Sequence, residues 1–274
     1  MILISSLGSK LVARLSRYTA LLMMAFVVAA CGTVAPTNQK TAEQLYAEAR
    51  EELSGGAWDA AIKLYEQIQA RYPFGRIAQQ ALIEQAYAHY KAGDNAQALS
   101  ALDRFSKQYP NHPSSDYVQY LRGLVHFNDN LGVFAYYSGQ DPTERDPKAL
   151  RESFDAFKEL IARYPESKYA DDARARLSWL HNAMAKHEVH VARYYYRRGA
   201  YLAAANRAQD AVRDFQGAAV LEDALFIMVS AYDKLGYKDL SEDARRVLIA
   251  NYPNSAYING KKRLDNERPW WKLF

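Results

Sequence analysis

The sequence predicts an all-α fold, an α-solenoid of five tetratricopeptide-like helix pairs, and three observations carry that prediction. A helix-ending motif recurs five times, as Arg71-Tyr72-Pro73, Gln108-Tyr109-Pro110, Arg163-Tyr164-Pro165, Asp214-Phe215-Gln216 and Asn251-Tyr252-Pro253. Eleven positions before each aromatic anchor stands a small residue (Ala61, Ala98, Ser153, Ala204, Ser241), and four before it an apolar one (Ile68, Phe105, Leu160, Ala211, Leu248). Gly56, Gly93, Gly199 and Gly236 each follow a helical pattern where a left-handed residue would end the first helix of a pair. Composition agrees: 49% of the 274 residues are hydrophobic and 24% charged, with 21 tyrosines against 13 glycines and 9 prolines. That balance suits long helices better than a loop-rich β fold and excludes a disordered or collagen-like chain.

The chain opens with a segment that is not part of the solenoid. Lys10, Arg14 and Arg17 precede an apolar run from Thr19 to Ala30. At 12 residues this run is too short to span roughly 30 Å of hydrocarbon. Residues 1–30 read as a signal peptide. The run ends in Val28-Ala29-Ala30-Cys31, which resembles a bacterial lipobox, so lipidation of Cys31 and cleavage before it are expected, with residues 31–41 as a lipidated linker. Gly32 stands where lipoproteins retained in the inner membrane carry Asp, which implies sorting to the outer membrane. A diacylglycerol plus an amide-linked acyl chain meets the two-signal requirement for stable anchoring. Cys31 is the only cysteine, which excludes an intrachain disulfide and a cysteine zinc cluster. Without the leader, 32 basic side chains face 31 acidic ones, and a near-neutral chain gives a nucleic-acid partner no footing.

The array itself is expected over residues 42–253. Successive anchors are 37, 55, 51 and 37 residues apart, so two units carry insertions of 18 and 14 residues on a period near 37. The first falls at residues 128–145, with Gly132, Gly139 and Pro142 among the aromatics Phe134, Tyr136 and Tyr137. It reads as a loop between the helices of the third pair, either a contact element or a loop packing its own rings on the solenoid. The second lies in Asp171–Arg198, which has no glycine or proline and reads as one helix of 28 residues, about 42 Å long. Ala173, Leu177, Leu180, Met184, His187, Val191 and Tyr194 recur at spacings of four and three, which predicts a single apolar stripe along its length and a helix projecting beyond its neighbours.

Catalytic patterns are missing. His187, Glu188 and His190 come nearest to a metal motif, but zincin helices space their histidines by four around a Glu, and here the spacing is three. There is no glycine-rich phosphate loop and no Gly-x-Ser-x-Gly elbow. The expectation is a binding protein, not an enzyme, with no cofactor and no metal.

Two places stand out as interaction surfaces. Eight positions before the anchor, four units carry Leu64, Ala101, Ala156 and Ala244, but the fourth carries Arg207, next to Asn206 and following the cluster Tyr194-Tyr195-Tyr196. The break fits either a partner contact or a position left in water by the longer helix. That guanidinium locked inside an intramolecular salt bridge, with no neighbour within reach, would count against the first of these. The second place is Tyr72-Pro73-Phe74-Gly75, two aromatics around a rigid proline, suited to capture of an extended peptide; Tyr72 also serves as the ordinary repeat anchor.

With these features in view, the chain resembles the BamD/ComL family, outer-membrane lipoproteins of the β-barrel assembly machinery. The similarity rests on Arg71-Tyr72-Pro73-Phe74-Gly75, on His112-Pro113-Ser114-Ser115-Asp116-Tyr117 leading to Tyr120-Leu121-Arg122-Gly123-Leu124, on Arg145-Asp146-Pro147, and on Arg198-Gly199-Ala200 leading to Asn206-Arg207. The resemblance implies five repeats, contact with BamA through the C-terminal repeats by Arg207, Asn206 and Tyr195, and recognition of the aromatic signal of unfolded outer-membrane proteins by Tyr72 and Phe74. It also implies company with other assembly-machinery lipoproteins. Residues 254–274, with Lys261-Lys262-Arg263 and the ending Pro269-Trp270-Trp271-Lys272-Leu273-Phe274, depart from shorter members as a basic and aromatic tail. The rival reading is a repeat lipoprotein for pilus or cell-envelope assembly.

Overall fold

A computed structural model describes residues 40–127 and 147–260. The signal peptide, Cys31, most of the linker, the insertion at residues 128–145 and the tail from 261 lie outside the described residues. Two units are delimited, residues 1–45 and 46–274. In the first, Thr41 and Gln44 form a reciprocal capping box: the Thr41 amide donates to Gln44 Oε1 at 2.9 Å and the Gln44 amide to Thr41 Oγ1 at 3.3 Å.

Every element among the described residues is a helix. In chain order they are α1 (Ala42–Ser54), α2 (Trp58–Arg71), α3 (Arg76–Ala92), α4 (Asn95–Gln108), α5 (Ser115–Phe127), α6 (Lys148–Arg163), α7 (Ala170–Arg197), α8 (Tyr201–Asp214), α9 (Leu221–Leu235) and α10 (Lys238–Asn251). They follow one another as five pairs, the α-solenoid arrangement expected from the repeat.

The repeat positions explain the packing. Ala61, Ala98, Ser153, Ala204 and Ser241 are all buried, as are Ile68, Phe105, Leu160, Ala211 and Leu248. Where the small residue is serine, its hydroxyl also binds the partner helix: Ser153 Oγ donates to the Gly123 carbonyl at 2.9 Å, and Ser241 Oγ to Asp233 Oδ1 at 2.5 Å. Each anchor has left the helix, with φ between −122° and −134°, while its amide still donates to the residue four back. A following proline favours that extended backbone and blocks a further turn. At the other joint, Gly93 and Gly236 adopt φ +81° and +76°, left-handed values that an L side chain rarely takes.

Helix α7 runs over 28 residues, as its composition predicts, but two expectations about it need correction. The apolar residues do not form one buried stripe. Ala173, Leu180 and Met184 are buried, His187 and Val191 are only half-buried, and Tyr194 is 45% exposed; the buried side passes instead through Ala185, Glu188, Val189 and Ala192. A seven-residue repeat on a helix of 3.6 residues per turn drifts about 20° per heptad, so three heptads carry Tyr194 off the buried face. Nor does the extra length project bare. The first half of α7 packs on α6 through Leu180, Phe157 and Leu160, and the second half on α8 and α9 through Ala185, Val189 and Ala192.

Candidate functional site

A cleft of about 610 Å³ lies where first helices of successive pairs approach one another. Arg50 comes from α1, Glu84 and Tyr87 from α3, Tyr117 from α5, and Lys168 and Tyr169 from the turn before α7. Its floor is fixed by hydrogen bonds. Tyr65 and Tyr46 donate to the two oxygens of Glu84 at 2.6 and 2.7 Å, and Gln80 Nε2 adds a third bond at 3.1 Å. Burial, and after it the Glu84 carboxylate, push both phenols above their ordinary pKa. The aromatic wall is built the same way. The Tyr169 ring stacks on Tyr120 at 4.6 Å and meets Tyr117 at 5.5 Å, with Lys168 Nζ over its face at 5.0 Å. Tyr120 is held from behind by Asp172, which accepts its hydroxyl at 2.7 Å and Arg176 Nε at 2.5 Å. Burial raises the Asp172 pKa, but these two bonds outweigh it and keep the carboxyl below its usual range. The result is a set of fixed aromatic faces rimmed by the exposed cations Arg50 and Lys168, which suits an extended chain with aromatic side chains and negative charge.

The aromatics singled out from the sequence sit elsewhere. Neither Tyr72 nor Phe74 lines this cleft: Tyr72 is the half-buried end of α2, and Phe74 stands 88% exposed on the turn between the first two pairs. The cleft residues had a signal in the sequence. Pro113, Ser114, Asp116 and Tyr117 line it, and all four belong to the His112–Tyr117 stretch that carries the family resemblance.

The second region is the junction of α6, α7 and α8. Arg207 Nη1 lies 3.0 Å from Glu188 Oε2, and Arg151 Nη2 lies 3.6 Å from Glu188 Oε1. The carboxylate is buried, its side chain only 6% exposed, whereas Arg207 keeps 46% of its side chain in water. So the cation that interrupts the apolar repeat position has an internal partner, and Glu188 of the His187–His190 stretch is engaged by arginines. Among the described residues, no group of three or more histidine, cysteine or acidic side chains is placed to hold a metal ion. Asn206 is exposed beside Arg207. Tyr195 lies two helical turns further along α7, half-buried, with its ring 5.9 Å from that of Tyr194. The structure therefore groups Asn206 with Arg207 in sequence and places Tyr195 about 10 Å along the helix from Glu188, the partner of Arg207.

Comparison with known proteins decides the family. The family model YfiO, described as outer membrane lipoprotein, matches residues 38–248. The chain belongs to the YfiO family of outer membrane lipoproteins. Among relatives of this YfiO chain, the outer membrane protein assembly factor BamD of Neisseria meningitidis serogroup B is 45% identical over 238 residues, covering 87% of this chain and 89% of the relative. BamD of Xylella fastidiosa is 37% identical over 220 residues, 80% of this chain and 75% of the relative. BamD of Vibrio cholerae is 36% identical over 208 residues, 76% and 86% respectively. No helix among the described residues is long and apolar enough to cross a membrane.

Proposed function

We propose that this protein is a non-catalytic adaptor in outer-membrane protein assembly. Lipidated Cys31 holds it at the periplasmic leaflet of the outer membrane. Its N-terminal pairs receive unfolded outer-membrane proteins, and its C-terminal half binds BamA, in company with other assembly lipoproteins. Family membership and the assembly-factor relatives support the general role. The observation that carries the substrate arm is the cleft between first helices, lined by Tyr87, Tyr117 and Tyr169 together with the cations Arg50 and Lys168. Such a surface binds by shape, stacking and charge and needs no bond-making group.

In this reading Phe74, with Tyr72 behind it, forms an outlying contact for the aromatic signal, and the cleft takes the chain that leads up to it. The exposed half of Arg207, with Asn206 and Tyr195, faces BamA.

Affinity purification of the full chain from detergent-solubilised membranes tests the proposal. BamA and unfolded barrel proteins are the expected companions, and depletion should lower many unrelated barrel proteins together. Loss of pili alone on depletion, with no BamA recovered, supports the pilus-assembly alternative and refutes this one.

A further inference from the structure

A second groove, of about 390 Å³, opens on a different face, where second helices α2 and α4 flank α3. It is polar, and its chemistry differs from that of the aromatic cleft. Gln69, on α2, donates its Nε2 to the Ala78 carbonyl at 2.7 Å, which fixes the amide and leaves its oxygen as an acceptor. Gln85, on α3, is 6% exposed and accepts Arg104 Nη2 on its oxygen at 3.1 Å, which leaves its amide nitrogen as a donor. A glutamine amide carries both functions, and here each glutamine has spent one internally. The groove thus holds one oriented acceptor and one oriented donor, while Gln97 and Ser100 stand exposed at its edge on α4. Its charges, Glu66 and Arg104, are of opposite sign, so the groove favours neither a polyanion nor a polycation.

The neutral group that presents one N–H and one C=O at every residue is the peptide group. We propose that this groove binds the main chain of an extended, uncharged polypeptide segment, a second station on the second-helix face for the unfolded chains taken by the aromatic cleft. The proposal rests on the adaptor reading for the origin of those chains. Main-chain hydrogen bonds give affinity without demanding a sequence, which suits a site that must accept many different substrates. Amides already oriented by an internal hydrogen bond do not have to be ordered on binding, which lowers the entropic cost.

The test uses the full-length protein and a fluorescent peptide of alternating Thr and Val. It is compared with the same peptide N-methylated at alternate residues, which removes main-chain donors and keeps the side chains. The parent peptide should bind, and N-methylation should weaken binding about tenfold, the loss of roughly one good hydrogen bond. Ser100→Trp, at an exposed helical position, should fill the groove and weaken the parent peptide at least as much. Equal binding of the two peptides, no binding of either, or an unaltered Ser100→Trp variant overturns the proposal. Binding of a urea-unfolded porin, measured in parallel with Lys168→Glu, reports on the aromatic cleft. If the porin binds and the peptide contrast is flat, the groove inference fails and the adaptor reading stands. If the contrast holds and the porin does not bind, the reverse is true.

Discussion

Arg207 and Glu188 form one ion pair across α7 and α8, Nη1 to Oε2 at 3.0 Å, at the level of α7 where the start of α6 also reaches the same carboxylate through Arg151. This accounts for the broken repeat. The four other pairs place Leu or Ala at that position, and the fourth pair needs a cation because a carboxylate is buried opposite it. Replacing Arg207 by Ala leaves Glu188 to Arg151 alone. The expected loss is about 1–2 kcal/mol, less than for a fully buried pair because Arg207 is half in water and Arg151 remains. Urea unfolding should show the loss, and adding Glu188→Gln should recover most of it.

The same pair decides how partner binding has to be tested. Arg207→Glu sets a second negative charge against a buried carboxylate, so lost binding after that change would confound unfolding with a lost contact. Arg207→Gln combined with Glu188→Gln keeps the hydrogen-bonding shape and removes both charges. Co-purification of BamA with this double variant should fall at least tenfold while its thermal midpoint stays within a few degrees of the parent. Undiminished recovery of BamA would remove Arg207 from the contact.

Gly123 is a point of close approach between α5 and α6. A Cβ there would lie 2.7 Å from ring atoms Cδ1 and Cζ of Phe157, which is fully buried and has nowhere to move. Ser153 Oγ donates to the Gly123 carbonyl, so the backbones are held close from the other side as well. Gly123→Ala should cost about 2–3 kcal/mol through overpacking. Phe157→Leu in the same chain should restore part of it, as read from the denaturation midpoint.

These two sites mark where the sequence was legible and where it was not. The anchors, the small and apolar positions before them and the helix-ending glycines each answer to a local rule, so the five pairs and the length of α7 could be read directly. Buried Glu188 could not, because its neighbours Arg151 and Arg207 are 37 and 19 residues away and only the overlap of α6 and α8 on α7 brings them together. The aromatic cleft failed for a related reason. Tyr87, Tyr117 and Tyr169 come from three different pairs, and only Tyr117 falls in a stretch that carries the family resemblance, whereas Tyr72 and Phe74 drew attention by flanking one proline.

Tyr46 and Tyr65, which share Glu84, predict a loss of stability in alkali. Their folded pKa values are raised above the unfolded value of about 10, so the unfolded chain gives up these protons first. The contribution is complete below pH 10 and declines above it, by up to about 1.4 kcal/mol per pH unit for each phenol while the folded form stays protonated. Urea titrations between about pH 9 and pH 11 should show this fall. Tyr65→Phe should flatten the slope although it lowers stability at neutral pH, by leaving Glu84 one donor short. A slope unchanged by that substitution would show that Tyr65 ionises freely.

The aromatic cleft and Phe74, both proposed contacts for unfolded substrate, can be separated because they differ in chemistry as well as place. Arg50 and Lys168 rim the cleft, are exposed, and can be reversed with little effect on packing; Phe74 is a bare aromatic on a turn. Arg50→Glu with Lys168→Glu should weaken binding of an unfolded porin, and the parent protein's affinity should fall as salt is raised, since exposed charges are screened beyond roughly 8–10 Å. Phe74→Ala should weaken binding without altering that salt dependence, and only for chains that end in an aromatic residue. Measuring both variants against porins with and without the terminal aromatic assigns each contact. If the cation reversals leave affinity and salt dependence untouched, the cleft does not receive the chain, and recognition of the aromatic signal rests on Phe74.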